Sequence, residues 1–259
     1  MNIMIKLFNE EIFGPRIQDY FRNGCLTLMS NPEGAALTDI VRLFTDDDFQ
    51  KLQTQHVTNP VIRSFWDHQM AKTGQREKQE MIPYFAAKFG QFITNTMMRN
   101  IIGQAKSAFD FFKVMQEGKI LLMNLSKGSV GEVNSKLLGL IIVQKLQMAA
   151  MRRQKIPKEE RRDFFLYIDE FQNYITESIE SILSEARKYR LGLIITHQYL
   201  AQLEGEGNAL KKGQSKIKDA VFGNVGTMMS YKIGAQDAEF MGKEMAPVFS
   251  DQDLINIDK

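Results

Sequence analysis

Three residues in the second half of the chain have the types and order of a phosphate-hydrolysing site. Asp169-Glu170 closes the apolar run FFLYID (164–169), and Gln198 follows the apolar run GLIIT (192–196). A buried strand that ends in adjacent carboxylates supplies two things that nucleotide hydrolysis requires. One carboxylate holds a magnesium ion through water, and the other orients or deprotonates the attacking water. Asp169 fits the first role and Glu170 the second. Gln198 is placed to sense a terminal phosphate or to position water. In open parallel sheets ligands bind beyond the carboxyl ends of the strands, where both groups would lie. Each group also has a plain structural reading: Asp169 as a helix cap with Glu170 facing solvent, and Thr196-His197-Gln198 as an ordinary turn with His197 structural. Two polar strand ends separated by one amphipathic helix favour the nucleotide site over two unrelated turns.

The elements that would position these residues come from a change of hydrophobic period. Residues 9 to about 113 read as helices. Ile17, Tyr20, Phe21, Leu28 and Met29 form one stripe, and Phe85, Phe89, Phe92, Ile93 and Met97 form another. Thr45 followed by Asp48 resembles a capping box, and Asn59-Pro60 is a helix start, with a cap and then proline in the first turn. Twelve of the 18 phenylalanines precede residue 114, which argues for a packed all-α domain over 1–113 rather than a linker; Trp66 and Cys25 read as part of its core. Over 114–259 short apolar runs alternate with helical stripes. KILLMNLS (119–126), FFLYID, GLIIT and the stretch Met228–Ile233 read as strands. Val133–Met151 and the stripe from Ile175 to Tyr189 read as helices. That alternation predicts an α/β domain, a mainly parallel sheet with flanking helices.

Composition removes several other classes. Hydrophobic residues are 44% and charged residues 25% of 259, an ordinary globular balance that excludes disorder and low complexity. The longest apolar run, Leu137–Val143, is too short for a membrane span, which needs about 20 residues. The opening Met1–Lys6 lacks the features of a secretory signal. A single cysteine forms no internal disulfide and suggests a reducing compartment, and three scattered histidines offer no metal-ligand spacing. The formal charge of +2 demands no nucleic acid by itself, although local patches can still bind it. Residues 205–218 are such a patch: Lys211, Lys212, Lys216 and Lys218 stand against Glu206 among three glycines. They read either as a mobile loop touching DNA phosphates or as a solvated loop. The basic run 152–162, broken by Pro157, reads as a solvated connection.

The stretch FFLYIDEFQNYITESIESILSEARKYRLGLIITHQYLAQL (164–203) resembles the motor core of conjugative DNA-transfer ATPases, the TraG/TraD-type coupling proteins of type IV secretion, and their HerA/FtsK-like relatives. EGKILLMNLSKGSVGEVNSKLLGLII (117–142) and VFGNVGTMMSYKIGAQDAEFM (221–241) are similar to neighbouring parts of that motor. NPVIRSFWDHQM (59–70) and IIGQAKSAFDFFKVM (101–115) are similar to its all-helical insertion. The resemblance implies a partial RecA-like P-loop NTPase core over 114–259, preceded by the all-α domain. It implies that Asp169 and Glu170 are the Walker B pair, Asp169 binding magnesium through water, and that Gln198 is the sensor glutamine. Arg187 would reach a neighbouring subunit's phosphate or, on a plain reading, belong to a solvated face. Asn224 matches a family position where a turn role and a nucleotide contact are equally open. ATP and Mg2+ are the implied cofactors. The implied partners are DNA bound without sequence preference, a homo-oligomeric (hexameric) ring, and relaxosome and secretion-channel proteins. The implied location is the cytoplasm, at the inner face of a bacterial membrane.

One departure limits this reading. A phosphate-cradling loop needs G-x-x-x-x-G-K-[ST]. Gly118-Lys119 and Gly242-Lys243 are preceded at the required spacing by Lys113 and Asp237 and followed by Ile120 and Glu244. Gly103-Gln104-Ala105-Lys106-Ser107 lacks the glycine before lysine. The chain therefore resembles the C-terminal portion of a longer ATPase, weak or inactive by itself. Two other classes stay open: a non-catalytic docking module for relaxosome or secretion partners, and a HerA-like repair translocase.

Overall fold

The computed structural model describes residues 1–174, 178–203 and 215–257, with only the backbone described for 178–181 and 215–216. The chain forms two compact units, one of 1–110 with 122–141 and the other of 111–121 with 142–259.

The first unit is helical because its apolar residues recur at helical spacing and its helices are capped. Pro15 opens the helix Pro15–Met29, which buries Ile17, Tyr20, Phe21 and Leu28. The Asn59 side chain caps Pro60–Ser64 by accepting from the Val61 amide at 2.9 Å. The cap sought at Thr45 comes one residue later. Thr45 ends the helix Asp39–Thr45, its hydroxyl bonded back to the Val41 carbonyl, and Asp46 accepts from the Phe49 amide at 3.0 Å to start Asp47–Thr54. That amide, followed by the Arg42 guanidinium, holds the Asp46 carboxyl below its ordinary range.

The core of this unit is aromatic. Phe85, only 1% exposed, lies within 5.1 Å (ring centroids) of both Phe44 and Phe89. Trp66 packs edge-on against Phe65 and donates its indole N–H to Thr27 Oγ1 at 2.8 Å, so its one polar atom is satisfied inside the core. Cys25 packs against this cluster, and burial pushes its thiol up to about 11 from 9.0. At pH 8 that leaves about a hundredfold less thiolate than the unshifted value would give. Iodoacetamide should therefore alkylate the native chain about a hundredfold more slowly than the urea-unfolded chain. Equal rates would show that the thiol is not held in the core.

The second unit holds the sheet. Strands β1 (Phe164–Ile168) and β2 (Leu191–Ile195) run parallel, with Phe164 opposite Leu191 and Ile168 opposite Ile195. Period-two alternation turns Phe164, Leu166, Ile168, Leu191, Leu193 and Ile195 into a core with Val143, Leu146, Phe171, Ile182, Ala186 and Tyr189. The opposite face carries Phe165, Tyr167, Gly192 and Ile194. The Phe165 ring occupies the space that a Cβ on Gly192 would need, its nearest atom at 2.7 Å, so glycine there lets the ring lie across the strand pair.

The mainly parallel RecA-like sheet expected from the sequence does not form. The chain is mostly helical, and the described residues contain one sheet, of two strands. KILLMNLS is not a strand: Ile120 and Leu122 are 89% and 88% exposed, and the Leu125 carbonyl accepts from the Ser135 hydroxyl at 2.5 Å instead of from a ladder. Met228–Ile233 is likewise irregular, with Met229 and Tyr231 exposed. A strand is a hydrogen-bond ladder, and an apolar run without a partner backbone makes none. The helices do form, as Glu132–Arg152 and as Ser178–Glu185 with a 3-10 turn over Ala186–Tyr189; Ile175 lies outside the described residues. Among the described residues no helix is long and apolar enough to cross a membrane.

Candidate functional site

The parallel pairing sets the site. With Ile168 opposite Ile195, Asp169 and Thr196 leave the sheet side by side. The Thr196 amide donates to the Ile168 carbonyl at 3.1 Å, and the Phe171 amide donates to the Thr196 carbonyl at 2.9 Å, which carries the pairing past both strand ends. The chain then turns sharply. Glu170 has φ 51°, in the left-handed region that side chains other than glycine seldom adopt. Its amide donates to Asp169 Oδ1 at 3.0 Å, and its carbonyl accepts from the Asn173 amide at 3.0 Å and from the Asn173 side chain at 3.1 Å. A strained residue held by this many bonds marks a position whose side-chain direction is fixed by its surroundings.

Those side chains form one network. The Thr196 hydroxyl donates to Asp169 Oδ1 at 2.5 Å. The Gln198 amide group donates to Glu170 Oε1 at 2.6 Å, and Gln172 donates to Glu170 Oε2 at 2.5 Å. Gln198 is itself anchored through its backbone amide to Gln202 Oε1 at 2.9 Å. The structure thus brings together Asp169, Glu170 and Gln198 from two strand ends and adds Thr196 and Gln172, which the sequence did not single out. The signal for Thr196 was its place opposite Asp169 in a parallel register; Gln172 carried none. Asp169, Thr196 and Gln198 are exposed, so the network opens to solvent. Two polar atoms beside it are buried without a hydrogen-bond partner among the described residues: Nδ1 of His197 and Oε1 of Gln172. Buried polar atoms are nearly always satisfied, so this pair asks for a group from outside the chain or for water.

The remaining candidates lie elsewhere. Arg187 is exposed on the 3-10 turn before β2, so a strand of about 15 Å separates it from Gln198. The fold does not bring it to its own acid pair. Lys211 and Lys212 lie outside the described residues. Lys216 and Lys218 stand on the helix Ser215–Asn224 rather than in a loop, and the Lys218 ammonium sits 4.1 Å from the centre of the Phe240 ring. Asn224 ends that helix, its side chain donating to the Ala220 carbonyl at 2.7 Å.

The donor chemistry suits a hard cation. Asp169 and Glu170 offer carboxylate oxygens and Thr196 a hydroxyl. Among the described residues no group of three or more His, Cys, Asp or Glu side chains converges. A zinc-type cage is therefore not formed by them. Asp169 would be the residue to hold a magnesium ion, which needs only one or two protein carboxylates and would supply charge neutralisation at a phosphate. Comparison with protein-family models, with curated proteins and with solved structures finds no match to the chain.

Proposed function

We propose that the chain is the C-terminal portion of an ATP-driven DNA translocase of the conjugative coupling kind, and that Asp169, Glu170, Thr196 and Gln198 are its hydrolytic residues. The observation that carries this reading is the cross-strand bonding of the acid pair: Thr196 to Asp169 and Gln198 to Glu170, from adjacent parallel strand ends. The ring assembly, the DNA cargo and the secretion partners rest on the sequence resemblance.

When bound, magnesium supplies charge neutralisation at the phosphates. The chain's own residues do the rest. Thr196 and the Glu170 amide both bond Asp169 Oδ1, which leaves its second oxygen available. Glu170 has each oxygen engaged by one amide N–H, and each oxygen retains a lone pair to accept from a water proton. Gln198 links that carboxylate to the end of β2, so the direction of Glu170 is tied to the strand pairing.

The phosphate grip must come from residues that these 259 do not include, since no G-x-x-x-x-G-K-[ST] occurs in them. The chain by itself should turn over ATP no faster than a heat-denatured sample. Reading the coding DNA upstream of the Met1 codon tests the proposal. An in-frame phosphate-binding loop predicts that the longer polypeptide hydrolyses ATP. A closed upstream frame removes the motor reading. The absent loop favours the second reading, a docking module without catalysis, in that case.

A further inference from the structure

The strand ends opposite the acid pair carry a separate feature. Residues 152–163 and 185–190 hold nine basic against four acidic side chains, a surplus larger than the +2 of the entire chain. Both segments sit ahead of the strands, one leading into β1 and the other into β2, so the parallel pairing makes them neighbours. Backbone carbonyls lock them together. Arg153, with no exposed surface, donates to the carbonyls of Arg162 and, at 3.3 Å, Arg190. Arg161 donates to the Ile156 carbonyl at 3.0 Å and to the Lys188 carbonyl at 2.5 Å. Gln116 donates to the Glu160 carbonyl at 2.6 Å. The Arg162 guanidinium covers Gly118, whose φ of 65° and missing Cβ give it room. A basic stretch that looks like a solvated connection in sequence is thus a fixed platform.

Part of the charge is consumed internally: Lys188 pairs with Glu185 at 2.7 Å and Arg190 with Asp163 at 3.6 Å. Lys155, Lys158 and Arg187 are exposed and have no ion pair among the described residues. We infer that this platform binds the phosphate backbone of duplex DNA, with Lys155, Lys158 and Arg187 as the contacting cations. Exposed cations without acidic partners among the described residues gain from releasing the counterions condensed on a duplex, a sequence-independent interaction. The one aromatic residue of the two segments, Tyr189, is buried, so base stacking of single strands has no platform here. Apolar residues in 152–163 before β1 are confined to Ile156 and Pro157, too few for an amphipathic membrane face. The choice of DNA as the polyanion rests on the proposed translocase function. The charge and its rigidity do not. Arg187 then contacts DNA rather than a neighbouring subunit's nucleotide.

The test is fluorescence anisotropy of a labelled 30-base-pair duplex with the intact chain over 50–200 mM salt. It is repeated with Lys155→Gln/Lys158→Gln/Arg187→Gln and with Lys211→Gln/Lys212→Gln/Lys216→Gln. The first triple variant should bind roughly tenfold or more weakly, and its plot of log affinity against log salt should be shallower by up to about 2.7, about 0.9 for each lost phosphate contact. The second should bind as the unaltered chain does. Unchanged binding by the first variant, with loss in the second, overturns the inference. So does binding to vesicles containing phosphatidylserine without binding to duplex. ATP turnover is read separately on the loop-bearing polypeptide, so absence of hydrolysis there with retained duplex binding by the chain would remove the translocase reading and leave the surface standing.

Discussion

Replacing Glu170 with glutamine should lower the ATP turnover of the loop-bearing polypeptide about 10²–10⁴-fold, the usual contribution of a positioned general base. The substitution keeps shape and leaves an oxygen to accept from Gln172 or Gln198, so the fold around Asp169 should persist. It removes the negative charge that draws a proton from water. ATP affinity, governed by the phosphate grip and by Asp169, should change little. The signature is therefore a fallen kcat with a nearly constant KM. Thr196→Val separates positioning from chemistry. It removes only the hydroxyl that fixes Asp169, so it should weaken magnesium binding, raising the half-saturating Mg2+ concentration, with a smaller loss of kcat. A Glu170→Gln polypeptide that hydrolyses ATP within a factor of three of the parent would remove Glu170 from the mechanism and, with it, the central role given to the acid pair.

The site was more legible than the fold. Asp169, Glu170 and Gln198 could be found because a strand ending in polar residues is a local pattern, and two such endings predict one place if the strands pair in parallel. That they touch depends on register: a shift by one residue would turn Thr196 away from Asp169. The helices of the first unit were legible because helical periodicity and caps are also local, and Thr45 misled only by a single position. The sheet was legible only in part: FFLYID and GLIIT pair in parallel as β1 and β2, and the other two apolar runs form no strand. An apolar run such as KILLMNLS has the composition of a strand, yet the backbone bonds that make one come from a partner that composition cannot specify. Ile120 and Leu122 stand in solvent for want of such a partner. The basic run 152–162 is largely exposed, as read, but its spatial neighbours were not legible. Its polarity suggested a solvated connection, and nothing in its own pattern shows that the β1–β2 pairing brings Lys188 and Arg190 against it. Arg153 was invisible for the same reason, since a buried arginine looks like any other in a run of cations.

Replacing Arg153 with methionine should cost the chain about 2–4 kcal/mol. The guanidinium is fully buried at the point where the helix Glu132–Arg152 gives way to the approach to β1. Burial first, and then the cation of Arg161, hold its pKa below the ordinary arginine value, while Asp163 opposes them. Its charge is thus costly where it stands, and the return comes from two charge-assisted bonds, to the Arg162 and Arg190 carbonyls, each worth about 1.5–3 kcal/mol. The Arg190 carbonyl keeps a second donor, the Phe164 amide at 3.1 Å, so it is not orphaned by the substitution. The Arg162 carbonyl loses its charged partner. Methionine fills much of the volume and adds no unpaired charge, which keeps the loss below the sum of both bonds. At about 2–4 °C per kcal/mol for a chain of this size, the melting temperature should fall by roughly 4–16 °C. Lysine at 153 should recover little, because one ammonium on a flexible stem cannot span two carbonyls as a planar fork does. The duplex-binding platform should suffer with the fold, since Arg153 is what ties the approaches to β1 and β2 together. A methionine variant melting within 1 °C of the parent would mean that the buried charge costs as much as its bonds return, and that the platform is held instead by the Arg161 bonds to Ile156 and Lys188.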